Sequence, residues 1–313
     1  MNKFLPSAAD LARWTLAAQH PLTHQWCPDE KSRLARLAED HEFDLQLATD
    51  LDLAAKRATL TPGRNPEELL NRWVVVSSTL SALLSMRFEG GDAAKPFVDA
   101  SVLSRPLMGE DFAALCAGAR QIFGTFHPRY LRVWSSAPSD AFAGTGRDRR
   151  FLAAPVRDLV RGSGDTPAEL SLTATTDLAK WDDAAAAYVA VDADHPAHPD
   201  QARLQGADDL QLSVEGGTLF DVVVDQVWAG WVGATAETTS SLGLSCYEVQ
   251  EIILIPGFRG RGYGSHLTTL LARELSDGDR VLLGTIHADN RGALASAKQA
   301  GRCDVGGWLK LSL

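Results

Sequence analysis

Residues 252–264 constrain this chain more than any other stretch. An apolar run at 252–255 reads as a buried strand, which Pro256 and Gly257 stop. Arg259, Gly260, Arg261, Gly262, Tyr263 and Gly264 follow, and an amphipathic helix is expected over about 265–274. Strand, glycine-rich turn and helix in that order build an anion cradle. Glycines without a Cβ let the main chain come close to a ligand, successive N–H groups point into the turn, and the helix N-terminus adds the positive end of its dipole. Arg259 and Arg261 supply full charge where a pyrophosphate would sit.

Two familiar phosphate loops do not fit. A dinucleotide fingerprint needs a glycine where Ser265 stands, and a Walker A loop needs a lysine after the glycines. The pattern that fits is R-x-x-G-x-G, carried by Arg259, Gly262 and Gly264. It resembles the coenzyme A pyrophosphate loop of the GNAT acyltransferase superfamily. The downstream flank agrees: residues 280–287 read as a strand, Asn290 opens a helix with Ala293 three places on, and Gly301 closes it. Two positions depart from the resemblance. Ala297 stands where many relatives carry a tyrosine that protonates the departing thiolate, and Arg302 replaces the usual aromatic after the glycine. Residues 303–313 read as a closing strand.

The chain has 313 residues, enough for about two domains with a core each. No apolar stretch reaches the roughly 18 residues of a membrane span, and a cytoplasmic location is the default expectation. Cys27, Cys116, Cys246 and Cys303 are scattered without metal-ligand spacing, so reduced, mostly buried thiols are expected, and no metal. Residues 1–165 hold 20 acidic and 20 basic side chains, residues 166–313 hold 20 and 10, and the net charge of −10 lies in the second half. That balance argues against a nucleic-acid partner and favours a cationic or amine-bearing one.

In the first half, helices are expected from Pro6-Ser7 to about Gln19 and from Pro28 to about Asp40. Strands follow at 73–78, 81–88 and 96–104, then an amphipathic helix at 112–123 and a strand at 130–135. This order repeats that of the second half and suggests a tandem arrangement. The corresponding turn, 104–109, has one glycine and Pro106, which lacks an N–H. The expectation is therefore a degenerate GNAT-like domain at 1–165, which does not hold a pyrophosphate well, and an acetyl-CoA-binding GNAT domain at 166–313. Residues 161–167 read as a linker. The fold class is α/β (α+β): two GNAT-like domains, each a mixed, mostly antiparallel sheet flanked by helices. An unrelated α+β first domain is the other reading.

In the second half a strand is expected at 169–173, helices at 179–188 and from about 199 to 212, and paired strands at 219–225 and 227–236. A polar loop between the helices bears His195 and His198. Acyl transfer from a thioester to an amine needs a neutral amine, aligned reactants and stabilisation of the carbonyl oxygen. The resemblance implies acetyl-CoA as donor, a small-molecule or peptide amine as acceptor, and direct attack in a ternary complex. It also implies that the main chain of Ile252, Ile253 and Leu254 reaches the thioester and pantetheine arm, with Gly260, Ser265 and Asn290 completing the cofactor site. Glu248 is the first candidate base. Glu251, three residues on, faces the other side of a regular strand, unless a bulge reverses it. His287 and Tyr247 are further acid or base candidates, and Ser296 is another stand-in for the missing tyrosine. A CoA-binding sensor without catalysis and an interaction protein are the readings from other classes.

Overall fold

The computed structural model describes residues 5–162, 164–194, 203–237, 241–275 and 277–313. Short polar side chains set the helix starts of the first part. Ser7 and Asp10 form a capping box on α1 (Ala8–Ala17), and α2 (Pro21–Trp26) begins with its proline at the first position. Asp29 caps α3 (Glu30–Thr49), longer than expected by a further two turns and more, and Asp50 caps α4 (Leu51–Ala58). Then come β1 (Arg72–Val75), β2 (Ser81–Phe88), β3 (Pro96–Leu103), α5 (Phe112–Phe123) and β4 (Tyr130–Ser135), close to the expected spans.

Next comes a strand that the sequence does not announce, β5 (Gly146–Pro155), and a short helix, α6 (Val156–Arg161). Beyond them lie β6 (Leu170–Ala174), α7 (Trp181–Asp194), α8 (Ala207–Glu215), β7 (Leu219–Val224) and β8 (Val227–Glu237). Asp225 and Gln226, both with positive φ (50° and 64°), make the tight turn between the last two. The chain closes with β9 (Cys246–Leu254), α9 (Tyr263–Glu274), β10 (Val281–His287), α10 (Arg291–Gln299) and β11 (Cys303–Ser312). His195, His198 and the first residues of the helix expected from Pro199 lie outside the described residues. All four cysteines are free, with Cys116 and Cys246 buried.

The chain forms two compact units, and the chain path exchanges strands between them. Unit 1 takes the residues up to Asp148, then Ser241–Gly243 and Gly306–Leu313; unit 2 takes the remainder from Arg149 to Val305. The sheet of unit 1 runs β1-β2-β3-β4-β11, antiparallel except for β3 beside β4. Alternating apolar residues of β2, β3, β4 and β11 pack against α5 through Leu115, Ala119 and Phe123. Arg33 of α3, almost fully buried, donates to the Leu242 carbonyl at 3.0 Å and so binds that short segment to its own unit.

The sheet of unit 2 runs β5-β10-β9-β8-β7-β6, antiparallel except for β9 beside β10. One face buries Val222, Val232, Tyr247 and Leu282 against Leu159 of α6 and Leu267 and Leu271 of α9. The other buries Trp231 and Ile253 against Ala184 and Ala187 of α7 and Leu210 of α8. Each unit is thus a mixed, mostly antiparallel sheet with helices on both faces, as the fold class expected.

Candidate active site

Two adjacent strands part company in unit 2. The parallel register of β9 and β10 covers Cys246, Tyr247 and Glu248 against Val281, Leu282 and Leu283, and no further pair among the described residues. β9 stays paired with β8 as far as Leu254 opposite Gly230. Its other edge, beyond Glu248, therefore faces a gap that widens toward the carboxyl ends of both strands. In sheets of parallel strands, that is the end where ligands bind. Ile252, Ile253 and Leu254 lie along this edge.

Each splayed strand runs into the N-terminus of a helix. After β9, Gly260 (φ 72°) and Gly262 (φ 85°) take left-handed conformations, and Gly262 is the residue from which α9 starts. Nothing lies within 4 Å of where a Cβ on either would stand, so the loop is open above its main chain. Gly264 is there for another reason: a Cβ on it would come within 2.6 Å of Ser296 Oγ, so its hydrogen lets α9 and α10 approach. After β10, the Asn290 side chain accepts the Ala293 N–H at 3.1 Å and caps α10. A glycine cradle at one helix start and a capped helix start beside it fit an extended, phosphate-ended ligand.

The two arginines of the loop differ. The Arg259 guanidinium donates to the Leu254 carbonyl at 2.7 Å and to the Ala187 carbonyl at 2.6 Å, which fastens the loop to the end of β9 and to α7. Arg261 is exposed, with its guanidinium carbon 5.2 Å from the centre of the Phe258 ring. Tyr263 is buried and its hydroxyl donates to Glu169 at 3.1 Å, while Ser265, also buried, presents its carbonyl to the Thr269 hydroxyl.

Above the gap, a β-bulge decides which acids meet. Glu248 pairs with Thr235, and Glu251 with Gly233, while Gln250 is the extra residue. Thr235 and Gly233 are alternate residues of β8, so Glu248 and Glu251 share one face, that of α7 and α8. Leu283 stands beside Glu248, and the unbroken register of β10 puts His287 on that face too. Its Nδ1 accepts the Asp289 N–H at 3.2 Å. Tyr247 points the other way, into the α6/α9 core, where its hydroxyl accepts the Asp277 N–H at 3.2 Å. Ala297 packs into the interior of unit 2, almost wholly buried.

The acids are tuned by burial. Glu251 is 1% exposed; it accepts the Gln205 N–H at 2.8 Å and the Tyr188 hydroxyl, yet burial outweighs both and pushes its carboxyl up to about 7. Glu248 is half-buried, and burial, then the nearby Glu237 charge, also raise it. Sequence reasoning left Tyr188 and Gln205 out. They sit 63 and 46 residues before Glu251 and carry no motif.

Residues 176–301 match the Acetyltransferase (GNAT) family. The likeness to that family covers 126 of the 313 residues. Similar solved structures cover most of the chain at low identity. A GCN5-related N-acetyltransferase from Sphaerobacter thermophilus shares 13% identity over 86% of this chain and 93% of its own, with a TM-score of 0.45. One from Kribbella flavida shares 15% over 84% and 95%, with a TM-score of 0.42. A tandem GNAT protein from the clavulanic acid biosynthesis pathway shares 17% over 86% and 95%, with a TM-score of 0.37. No curated protein matches the chain. No helix among the described residues is long and apolar enough to cross a membrane, and no group of three or more metal-ligating side chains occurs among them.

Proposed function

We propose that unit 2 is an N-acetyltransferase that takes an acetyl group from acetyl-CoA and passes it to an amine by direct attack in a ternary complex. The observation that carries this reading is the gap between β9 and β10, which runs from the glycine loop at its wide end to Glu248 at its narrow end. The main-chain N–H groups of residues 260–264 and the Arg261 charge would hold the pyrophosphate, and the free edge at Ile252, Ile253 and Leu254 would lie along the pantetheine arm. Arg259 shapes this loop through its two carbonyl contacts. Asn290 fixes the start of α10 on the other side of the gap.

The donor supplies an activated carbonyl; the residues supply position and a place for the proton. An alkyl ammonium must lose a proton before it attacks. Glu248, half-buried at the narrow end and raised by burial, is the base in this reading, directly or through one water. Glu251, on the same face and fully enclosed, sets the charge around it, and His287 stands at the mouth of the same face. Tyr247, held in the opposite core, has no part in the transfer. The first half of the chain is a degenerate GNAT-like domain that holds no second acetyl-CoA, and the acceptor is a small-molecule or peptide amine.

The test is a single-turnover experiment with radiolabelled acetyl-CoA. Without acceptor, no label should remain on the denatured protein; with a panel of amines, label should appear in an amide. Label trapped on the chain would overturn direct attack, and hydrolysis without transfer to any amine would overturn the transferase reading. Glu248→Gln should lower kcat about 100-fold and remove the acidic limb of the pH profile, with the acetyl-CoA affinity unchanged.

A further inference from the structure

Among the described residues of unit 2, one buried cation lacks acceptors for two of its guanidinium nitrogens. Arg302 is 4% exposed, and its Nε and Nη1 atoms have no hydrogen-bond acceptor among the described residues. Burial alone acts on it, lowering the guanidinium to about 10, with no carboxylate near enough to raise it. Leaving such donors unsatisfied in the interior is costly, and an enclosed cation without a counter-charge more so.

Its place is specific. A Cβ on Gly284 would lie 2.7 Å from Arg302 Nη1 and 3.3 Å from Val249 Cβ. Val249 and Gly284 are the first residues beyond the last paired positions, Glu248 and Leu283. The guanidinium therefore sits at the vertex of the gap, against the bare main chain of Gly284 and on the side of the sheet that carries Val249. Glu248 and Glu251 are on the other side. From Leu254 to Val249 the strand, with its bulge at Gln250, spans Gly230 to Ala234 of β8, a rise of roughly 13 Å, of the same order as an extended pantetheine arm. A thioester donor anchored at the glycine loop would thus bring its acyl group to the vertex.

We propose that the preferred donor carries a second carboxylate: a short dicarboxylic acyl thioester whose far end pairs with Arg302. This rests on the reading of the gap as the CoA site. It changes the acyl group, not the mechanism. The amine nitrogen bonds to the thioester carbon, the carbon–sulfur bond breaks, and the proton lost by the amine ends on the CoA sulfur. The distal carboxylate passes unchanged into the amide product. The amine arrives from the face of Glu248, while the acyl tail points to the opposite face, where the guanidinium waits. Buried guanidinium–carboxylate pairs are strong and directional, so a single contact can set acyl choice.

Calorimetric titration of the full chain tests this with malonyl-CoA and succinyl-CoA, each against its uncharged counterpart of equal chain length, propionyl-CoA and butyryl-CoA. The expected result is at least tenfold tighter binding of one charged donor than of its counterpart. Arg302→Met should abolish that difference while still binding acetyl-CoA, and Arg302→Lys should restore part of it. Equal affinities for both members of both pairs in the native chain would overturn the dicarboxylic donor and leave the acetyltransferase reading standing. Failure of every thioester, acetyl-CoA included, to bind would overturn the CoA site and this inference with it. Because the native chain alone decides between charged and uncharged donors, the outcome does not depend on the variants folding.

Discussion

The strand–turn–helix of unit 1 and that of unit 2 begin alike and end differently. In both, two parallel strands pair over three positions: 98–100 with 131–133 in unit 1, and 246–248 with 281–283 in unit 2. In unit 1, Asp111 closes the turn before α5. Its carboxylate accepts from Arg105 Nη1 and Nη2 at 2.8 and 2.7 Å and from the Met108 N–H at 2.9 Å. In unit 2 the turn has Gly260 and Gly262, open above, and no acid in that place. A helix start favours an anion. The first turn supplies one from the chain itself; the second leaves the position open. The strands repeat the contrast. Asp99 on β3 is answered by Arg132 directly opposite on β4, 2.9 Å away, whereas Glu251 on β9 has a tyrosine hydroxyl and an N–H for partners. Unit 1 pairs Asp99 and Asp111 with arginines, and unit 2 keeps Glu251 enclosed with no cation beside it among the described residues.

The most severe way to break this comparison is to give unit 2 the carboxylate of unit 1. Gly262→Asp places an acid at the start of α9 and a side chain at φ 85°. The titration should go from one acetyl-CoA per chain to none detectable, a loss of at least 100-fold in affinity. Two acetyl-CoA per native chain would show instead that the unit 1 turn also binds, and the contrast drawn above would fail.

Glu251 comes next. Its carboxyl is raised in the folded chain from 4.5 to about 7. A raised carboxyl stabilises the fold below its unfolded value, and that contribution is lost as pH climbs through the folded value. The native chain should therefore lose on the order of 3 kcal/mol of stability between pH 4.5 and 7 through this group. Glu251→Gln should flatten that decline in denaturant titrations at several pH values. An unchanged slope would mean that Glu251 is ionised throughout, as the lowered carboxyl of Asp111 is.

Asp111 runs the other way. Burial would raise its carboxyl, but the hydrogen bonds from Arg105 and Met108 and the Arg105 charge prevail and hold it below the usual range. Its contribution is present above about pH 4 and is lost as pH falls through the depressed value. Asp111→Asn should cost about 2 kcal/mol at neutral pH, measured by urea unfolding, and leave the acetyl-CoA stoichiometry at one. A second bound acetyl-CoA in this variant would show that Asp111 alone keeps the first turn closed.

The sequence made the turn of unit 2 legible because each element in it is local. Ile252 to Gly264 carry strand, stop, glycines and helix start within thirteen residues, and the chain folds as that order dictates. Helix α5 was equally readable from its own apolar spacing. The parts that were not legible depend on distant partners. Strand β5 carries Arg147, Asp148, Arg149 and Arg150 near its start, a charged run without apolar alternation, yet it pairs with β10 more than a hundred residues later and Arg150 meets Asp304 at 2.8 Å. Nothing about Gln250 marks it as the bulge, so the side on which Glu251 lies could be read only from its pairing with Gly233. Arg302 was visible as a departure from the family pattern, but its want of a partner is a property of the packed interior.

The smallest effect sharpens the comparison rather than breaking it, since it separates charge from main-chain geometry in the unit 2 turn. Arg261 is exposed and touches the Phe258 ring, so it contributes to an anion site by attraction across solvent and not by shaping the loop. Arg259, fastened to two carbonyls, shapes it. Arg261→Ala should weaken acetyl-CoA binding about fivefold in dilute buffer, and the gap from the native chain should close in 0.5 M salt, where the screening length falls to about 4 Å. Arg259→Ala should weaken binding at both salt concentrations alike, because a loop that has lost its anchorage is not repaired by screening. If the two variants respond to salt identically, the loop holds its ligand by net charge, and the glycine conformations that distinguish it from the first turn are not what makes it a site.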